Sequence, residues 1–242
     1  MSRLVLLFLL PLLLAGCDWH LPGKPIRKEA PDVATAEGRK TLFNRAYFVN
    51  CLGCHGPDGR DGAARPMHDP LYLEIAPTAT LEAVIRDGHG LLMPGFKKTL
   101  YGGMTDKEIA FFVEVMRERW GGTDSEHASG DDLPTYAQSE GAGDPARGGR
   151  TFATMCGTCH APDGTGLPDG AGSVVDPMYL RLVSDQALRS TVIFGRIDLG
   201  CPNFLGPYPG QPEGRGLSKA EIDDVTAWLI SNRLTIEEEA AR

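Results

Sequence analysis

The sequence predicts an all-α protein made of two similar halves, with long Gly- and Pro-rich loops between the helices. Three observations point there. The order of features in residues 36–120 recurs in residues 144–236, the signature of a repeated unit. Each half ends on a helix whose start is written out. Thr105-Asp106-Lys107-Glu108 and Ser218-Lys219-Ala220-Glu221 both carry the pattern in which a hydroxyl and a carboxylate satisfy free amides of the first turn. Strand signals are weak throughout, and 30 glycines with 18 prolines in 242 residues mark much of the chain as turn and loop.

From the N-terminus, Arg3 precedes an apolar run from Leu4 to Leu14 that is too short to span a bilayer. A charged start, a short apolar core and small residues before a cut site read as an export signal over residues 1–16. Leu14-Ala15-Gly16-Cys17 resembles a bacterial lipobox, whose cysteine takes a diacylglycerol and becomes the new N-terminus. Cys17 is then a lipid anchor; the alternative is an ordinary signal peptide with an incidental cysteine. Asp18 after it is similar to the inner-membrane retention signal of enterobacterial lipoproteins, so the expected location is the periplasmic face of the bacterial inner membrane. Residues 17–35, with Pro22, Pro25 and Pro31, read as an extended tether.

The first half, residues 36–120, and the second, residues 144–236, align in five places. Phe43-Asn44-Arg45-Ala46-Tyr47 matches Gly148-Gly149-Arg150-Thr151-Phe152, each putting an aromatic four residues before a cysteine on a predicted helix. His55 to Gly59 matches His160 to Gly164, Asp69 to Leu73 matches Asp176 to Leu180, and Leu81 to Gly88 matches Leu188 to Gly195. Met93-Pro94-Gly95-Phe96 then matches Cys201-Pro202-Asn203-Phe204. The closing helices carry apolar stripes at helical spacing, Ile109, Phe112, Val113 and Met116 in one and Ile222, Val225 and Leu229 in the other, suited to core packing.

Residues 121–143 between the halves form an acidic, Gly- and Ser-rich linker, and residues 237–242 an acidic tail. Asp124, Glu126, Asp131, Asp132, Glu140 and Asp144 together with Glu237 to Glu239 and Arg242 account for the net charge of −8. The remainder is balanced, and nothing in it suggests a nucleic-acid partner, so none is expected.

The six cysteines are Cys17, Cys51, Cys54, Cys156, Cys159 and Cys201. Four of them form Cys-x-x-Cys-His at Cys51, Cys54 and His55 and at Cys156, Cys159 and His160. This spacing lets two sulfurs add across the two vinyl groups of haem while the next imidazole reaches the iron, so two covalently bound haem c groups are expected. A zinc site from the two pairs fits poorly, given about a hundred residues between them and the paired histidines. A redox dithiol needs a βαβ context that is not found. Cys201 has no partner of its own kind.

On these motifs the chain resembles the class I c-type cytochromes, two domains in tandem. The resemblance implies small helical domains, His55 and His160 as proximal ligands, and a distal ligand, often methionine, on a loop before the last helix. Met93 in Met-Pro-x-Phe is similar to the family's ligand loop; Met104 is the next choice. Met67 reads as packing, and His68 and His89 as surface loop residues. In the second half Cys201 stands opposite Met93. A thiolate donates more electron density than a thioether, which predicts a lower potential for the second haem. Met178 as ligand, or an open iron beside a neutral thiol, are the alternatives there.

The second half also carries an insertion, Gly206 to Gly216, suited to a partner contact, to covering a substrate site or to a surface excursion. Lys97 and Lys98 could steer an acidic redox partner or simply be solvated. The function implied is one-electron transfer in a respiratory or photosynthetic chain, alone or as a subunit of a larger complex. A quinol-oxidising complex, a terminal oxidase or another cytochrome would be the partner. The second reading is a redox enzyme, since His/Cys ligation resembles the active haem of dihaem thiosulfate dehydrogenases.

Overall fold

The computed structural model describes residues 32–90, 92–100, 102–122, 133–211 and 215–234. The export signal, Cys17, most of the tether, the acidic tail and the acidic residues from Asp124 to Asp132 lie outside the described residues. Five helices make the first half: α1 (Ala36–Asn50), α2 (Leu52–His55), α3 (Pro70–Ile75), α4 (Thr78–Asp87) and α5 (Asp106–Trp120). Five more repeat the order in the second: α6 (Pro145–Met155), α7 (Gly157–His160), α8 (Pro177–Leu182), α9 (Asp185–Phe194) and α10 (Lys219–Ser231). Among the described residues no helix is long and apolar enough to cross a membrane, and the only extended pairings are isolated bridges.

The helix starts follow from the sequence. Both predicted capping boxes close: Thr105 N–H donates to Glu108 Oε2 at 2.7 Å and Ser218 N–H to Glu221 Oε2 at 2.9 Å, while each hydroxyl accepts the amide three residues on. Asp69 and Asp176 cap α3 and α8 alike, and each is followed by a proline whose missing N–H is not needed there.

In both halves the first and last helices pack together. Phe43 on α1 stacks on Phe112 at 4.6 Å and meets Trp120 edge-on at 5.2 Å, both on α5. Burial of such a ring is worth about 2–3 kcal/mol. Gly148 occupies the place of Phe43 in α6, and α10 comes closer. A Cβ on Gly148 would lie 2.0 Å from the Asp224 carbonyl oxygen, so the backbones meet where the first half interposes a ring. All seven stripe residues of α5 and α10 are buried.

The halves dock through α3. Tyr72 meets Phe194 of α9 edge-on at 5.1 Å, and Leu71 is buried among residues of the second core. Residues 133–143 are laid against the second half. Arg189 of α9, only 2% exposed, donates to the carbonyls of Thr135 and Tyr136 and pairs with Asp223 at 2.5 Å. Part of the stretch that reads as a solvated linker is therefore a packed strap, because its carbonyls satisfy a buried guanidinium. The matching face of α8 is open: Met178 is 60% exposed and Leu182 59%.

Candidate haem sites

Each attachment motif occupies one helical turn. Cys54 and His55 both donate backbone N–H to the Cys51 carbonyl, at 3.1 and 2.9 Å; Cys159 and His160 do the same to Cys156, at 3.1 and 3.0 Å. Positions i, i+3 and i+4 of a turn share a face, so two sulfurs and an imidazole are offered together. The described cysteines are all free thiols. Burial, with Cys54 nearby, pushes the Cys51 thiol up to about 12. Burial, then Cys201 and Cys159, pushes Cys156 up to about 12.

The histidines are oriented from behind. His55 Nδ1 lies 2.8 Å from the Arg65 carbonyl oxygen and His160 Nδ1 lies 3.2 Å from that of Gly172. A carbonyl only accepts, so Nδ1 carries the proton and Nε2 is left with its lone pair, the arrangement a metal-bound imidazole requires. Burial also lowers the His55 pKa, which favours the neutral ligating form. Among the described residues no three His, Cys, Asp or Glu side chains converge on a bare metal ion. The donor set fits haem: two thiols and one oriented imidazole, repeated twice.

The loop after the first motif is held by Tyr47. Its hydroxyl donates to the Gly56 carbonyl at 2.5 Å and accepts from Gly59 N–H at 2.9 Å. Phe152 stands at the same place in the second half and packs on Trp228 at 4.3 Å, as Tyr47 packs on Trp120 at 5.4 Å, but has no hydroxyl to hold the loop.

The turns that carry Met93 and Cys201 share their main backbone bonds. Helices α4 and α9 end on Gly88 and Gly195, both with positive φ (82° and 65°). His89 and Met93 then exchange backbone hydrogen bonds at 3.0 and 3.3 Å, as Arg196 and Cys201 do at 3.0 and 3.0 Å. Phe96 N–H donates to Ile85 and Phe204 N–H to Ile193; Met104 N–H donates to Phe96 and Leu217 N–H to Phe204. Met93 and Cys201 are therefore equivalent in structure, and so are Met104 and Leu217. The second turn has one more residue and contains a 3-10 turn, Ile197–Leu199.

Cys201 is half-buried. Burial raises its thiol pKa, while the Arg196 backbone, Arg65 and Arg196 pull it the other way. Met104 is buried in the first core and Met67 packs against it. His68, which reads as a surface residue, is half-buried and stacks on Trp120 at 5.3 Å. His89, Lys97, Lys98 and Met178 are exposed.

The insertion of the second half folds back on the attachment turn. Thr158 Oγ1 donates to the Pro209 carbonyl at 3.2 Å and Gln211 Nε2 to that of Thr154 at 2.7 Å. Tyr208 is buried with Met155, and Cys156 packs against the same cluster. Its pKa is raised by burial first and then by Cys156 and Cys201. Nothing in the first half corresponds to it. Sequence reading passes over Tyr208, Arg65 and Arg189, because none belongs to a motif and only the folded chain gives them partners.

Comparison with known proteins places a cytochrome c match on each half. The family model for cytochrome c oxidase, cbb3-type, subunit III matches residues 34–113, and that for cytochrome c matches residues 145–233. A thiosulfate dehydrogenase of Stutzerimonas stutzeri (strain A1501) is 24% identical over an alignment 184 residues long that covers 68% of this chain and 58% of that protein. This chain thus spans a little over half the length of that relative. The two family matches fall one on each half, around one motif apiece, and imply haem c binding and redox partners. The chain belongs to the class I c-type cytochromes, with two of their domains in tandem, and is an electron-transfer haem protein.

Proposed function

We propose that the chain is a dihaem electron carrier, tethered through Cys17 to the periplasmic face of the bacterial inner membrane. It relays electrons one at a time, as a free relay or as a subunit of a larger complex. The observation that supports this best is the twofold repetition of an attachment turn with a histidine whose Nδ1 is tied to a carbonyl. A haem attached through Cys51 and Cys54, and another through Cys156 and Cys159, supplies a one-electron couple at each site. His55 and Met93 would hold the first iron, and His160 and Cys201 the second. Burial and the oriented histidines then set how readily each site takes up an electron.

A terminal oxidase is the favoured partner, on the likeness of residues 34–113 to an oxidase subunit. A quinol-oxidising complex or another cytochrome would use the same couples. Purification in mild detergent tests this. Two haems per chain and stoichiometric co-elution with oxidase or quinol-oxidising subunits are expected; a chain without haem would refute the reading.

A second reading, an enzyme of the thiosulfate dehydrogenase type, is favoured by one structural observation. The methionine of the first turn is replaced by Cys201 at the equivalent place in the second, in a chain that also resembles such an enzyme at 24% identity. Steady thiosulfate oxidation by the isolated holoprotein, lost in Cys201→Ser, would favour it over the carrier.

A further inference from the structure

Arg65 touches both halves of the molecule. Its own carbonyl oxygen holds His55 Nδ1 at 2.8 Å. Its guanidinium crosses to the second half, where Nη1 donates to the Gly195 carbonyl at 2.9 Å and Nη2 to Thr191 Oγ1 at 2.9 Å. Gly195 caps the C-terminus of α9, the end at which a helix carries partial negative charge, so a cation is favoured there. The next residue, Arg196, is the backbone partner of Cys201. Thr191 is fixed in turn, its hydroxyl donating to the Ala187 carbonyl at 2.9 Å.

One residue thus runs from the back of the first histidine to the foot of the turn that carries Cys201. Besides a single contact between Ser184 Oγ and His89 Nε2 at 3.4 Å, the contact described between the halves includes apolar packing, Tyr72 on Phe194 and Leu71 in the second core, and apolar packing tolerates sliding. Two directed hydrogen bonds from a planar guanidinium do not. Among the described residues no carboxylate lies within ion-pair distance of Arg65; the Asp69 and Asp198 carboxylates act on it only from farther away. In the second half the carbonyl that holds His160 belongs to Gly172, which has no side chain to make a corresponding bridge. The bridge therefore exists only in the direction that joins the two sites.

We propose that Arg65 is the positioning residue that locks the proximal side of the first haem site to the ligand turn of the second, fixing the geometry for electron exchange between them. The assignment rests on the dihaem reading. In the exchange one ferrous iron gives up one electron and the other, ferric, iron takes it up, with no proton or bond transferred. Arg65 binds neither iron; it acts through His55, through the Gly195 turn and through its own charge.

The test uses the full-length holoprotein and the variants Arg65→Gln, Arg65→Lys and Thr191→Val. Haem content is counted first, then both midpoint potentials and the rate of electron exchange between haems after rapid partial reduction are measured. Loss of the cation in Arg65→Gln should shift both potentials downward, because the ferric state carries the extra positive charge, and should slow exchange. Arg65→Lys should restore the potentials more fully than the rate, since it keeps the charge and loses the fork. Thr191→Val, which retains the charge and cannot disturb His55 directly, should slow exchange while leaving the first potential in place. Wild-type exchange in all three variants, with two haems per chain, would overturn the assignment alone. A single haem in the wild type would overturn the dihaem reading with it.

Discussion

Gly195 and Gly200 flank the turn that carries Cys201, and the same substitution at the two should have different consequences. Both have positive φ, 65° and 82°, but Gly200 is left-handed helical (ψ 6°), where an L side chain costs about 1 kcal/mol, whereas Gly195 (ψ −162°) lies in a region that essentially only glycine enters, at about 1–3 kcal/mol for other residues. A Cβ on Gly200 meets nothing within 4 Å, whereas one on Gly195 would lie 2.3 Å from the Pro202 carbonyl oxygen and 2.5 Å from that of Cys201. These atoms belong to the turn itself, so relief requires about an ångström of backbone movement. Overpacking of this kind adds about 1–3 kcal/mol. Gly200→Ala should therefore lower stability by about 1 kcal/mol, and Gly195→Ala by about 2–6 kcal/mol.

Denaturant unfolding followed by far-ultraviolet circular dichroism measures both. The absorption of the second haem should change only in Gly195→Ala, because only there is the Cys201 backbone displaced. Equal destabilisation by the two variants, with unchanged spectra, would refute the reasoning that this turn is sterically fixed.

Three further outcomes are expected. Asp224 is 4% exposed and accepts from Arg147 Nε at 2.8 Å, Arg147 Nη2 at 2.9 Å and Asp144 N–H at 2.6 Å. Arg147 above all holds this carboxyl below the usual aspartate range, so its contribution is complete above the unfolded value of about 3.9 and is lost as pH falls through the lower folded value. Asp224→Asn should destabilise by about 1–3 kcal/mol at neutral pH and by progressively less in acid; a pH-independent difference in unfolding free energy would contradict this. Tyr47→Phe leaves the Gly59 amide and the Gly56 carbonyl without their partner and should cost about 1–3 kcal/mol in the same assay; no loss would mean the first loop is held by other bonds. Met93→Leu should abolish the methionine-ligated ferric signature of the first haem, whereas Met104→Leu should keep it and cost less than about 1.5 kcal/mol; the reverse pattern would exchange the two roles.

Much of this arrangement was legible in the sequence because it depends on local spacing. The attachment turns need only Cys-x-x-Cys-His on a helix, and the closing helices need only a capping box and an apolar stripe, so both could be read residue by residue. The match of Met93 with Cys201 was also visible, as a difference between repeats, and the paired turns after Gly88 and Gly195 give it a backbone equivalence. What was not legible depends on the other half of the chain. Arg65 lies in a loop without a motif, and its partners Thr191 and Gly195 are more than a hundred residues away. Arg189 looks like an ordinary surface residue of an amphipathic helix until residues 133–143 fold over it. The insertion read as an excursion because glycine and proline conceal that Tyr208 turns inward. His68 was misplaced for a similar reason, since its stacking partner Trp120 comes from the far end of α5.

The central claim is that the two haem sites are built alike on the histidine side and differently on the other, Met93 against Cys201. A redox titration of the full holoprotein, followed by absorption and electron paramagnetic resonance, tests it most directly. Two well-separated potentials are predicted, the upper from a methionine-ligated haem and the lower from a thiolate-ligated haem whose signature disappears in Cys201→Met. Two similar high potentials, with a second haem unchanged in Cys201→Met, would contradict the account.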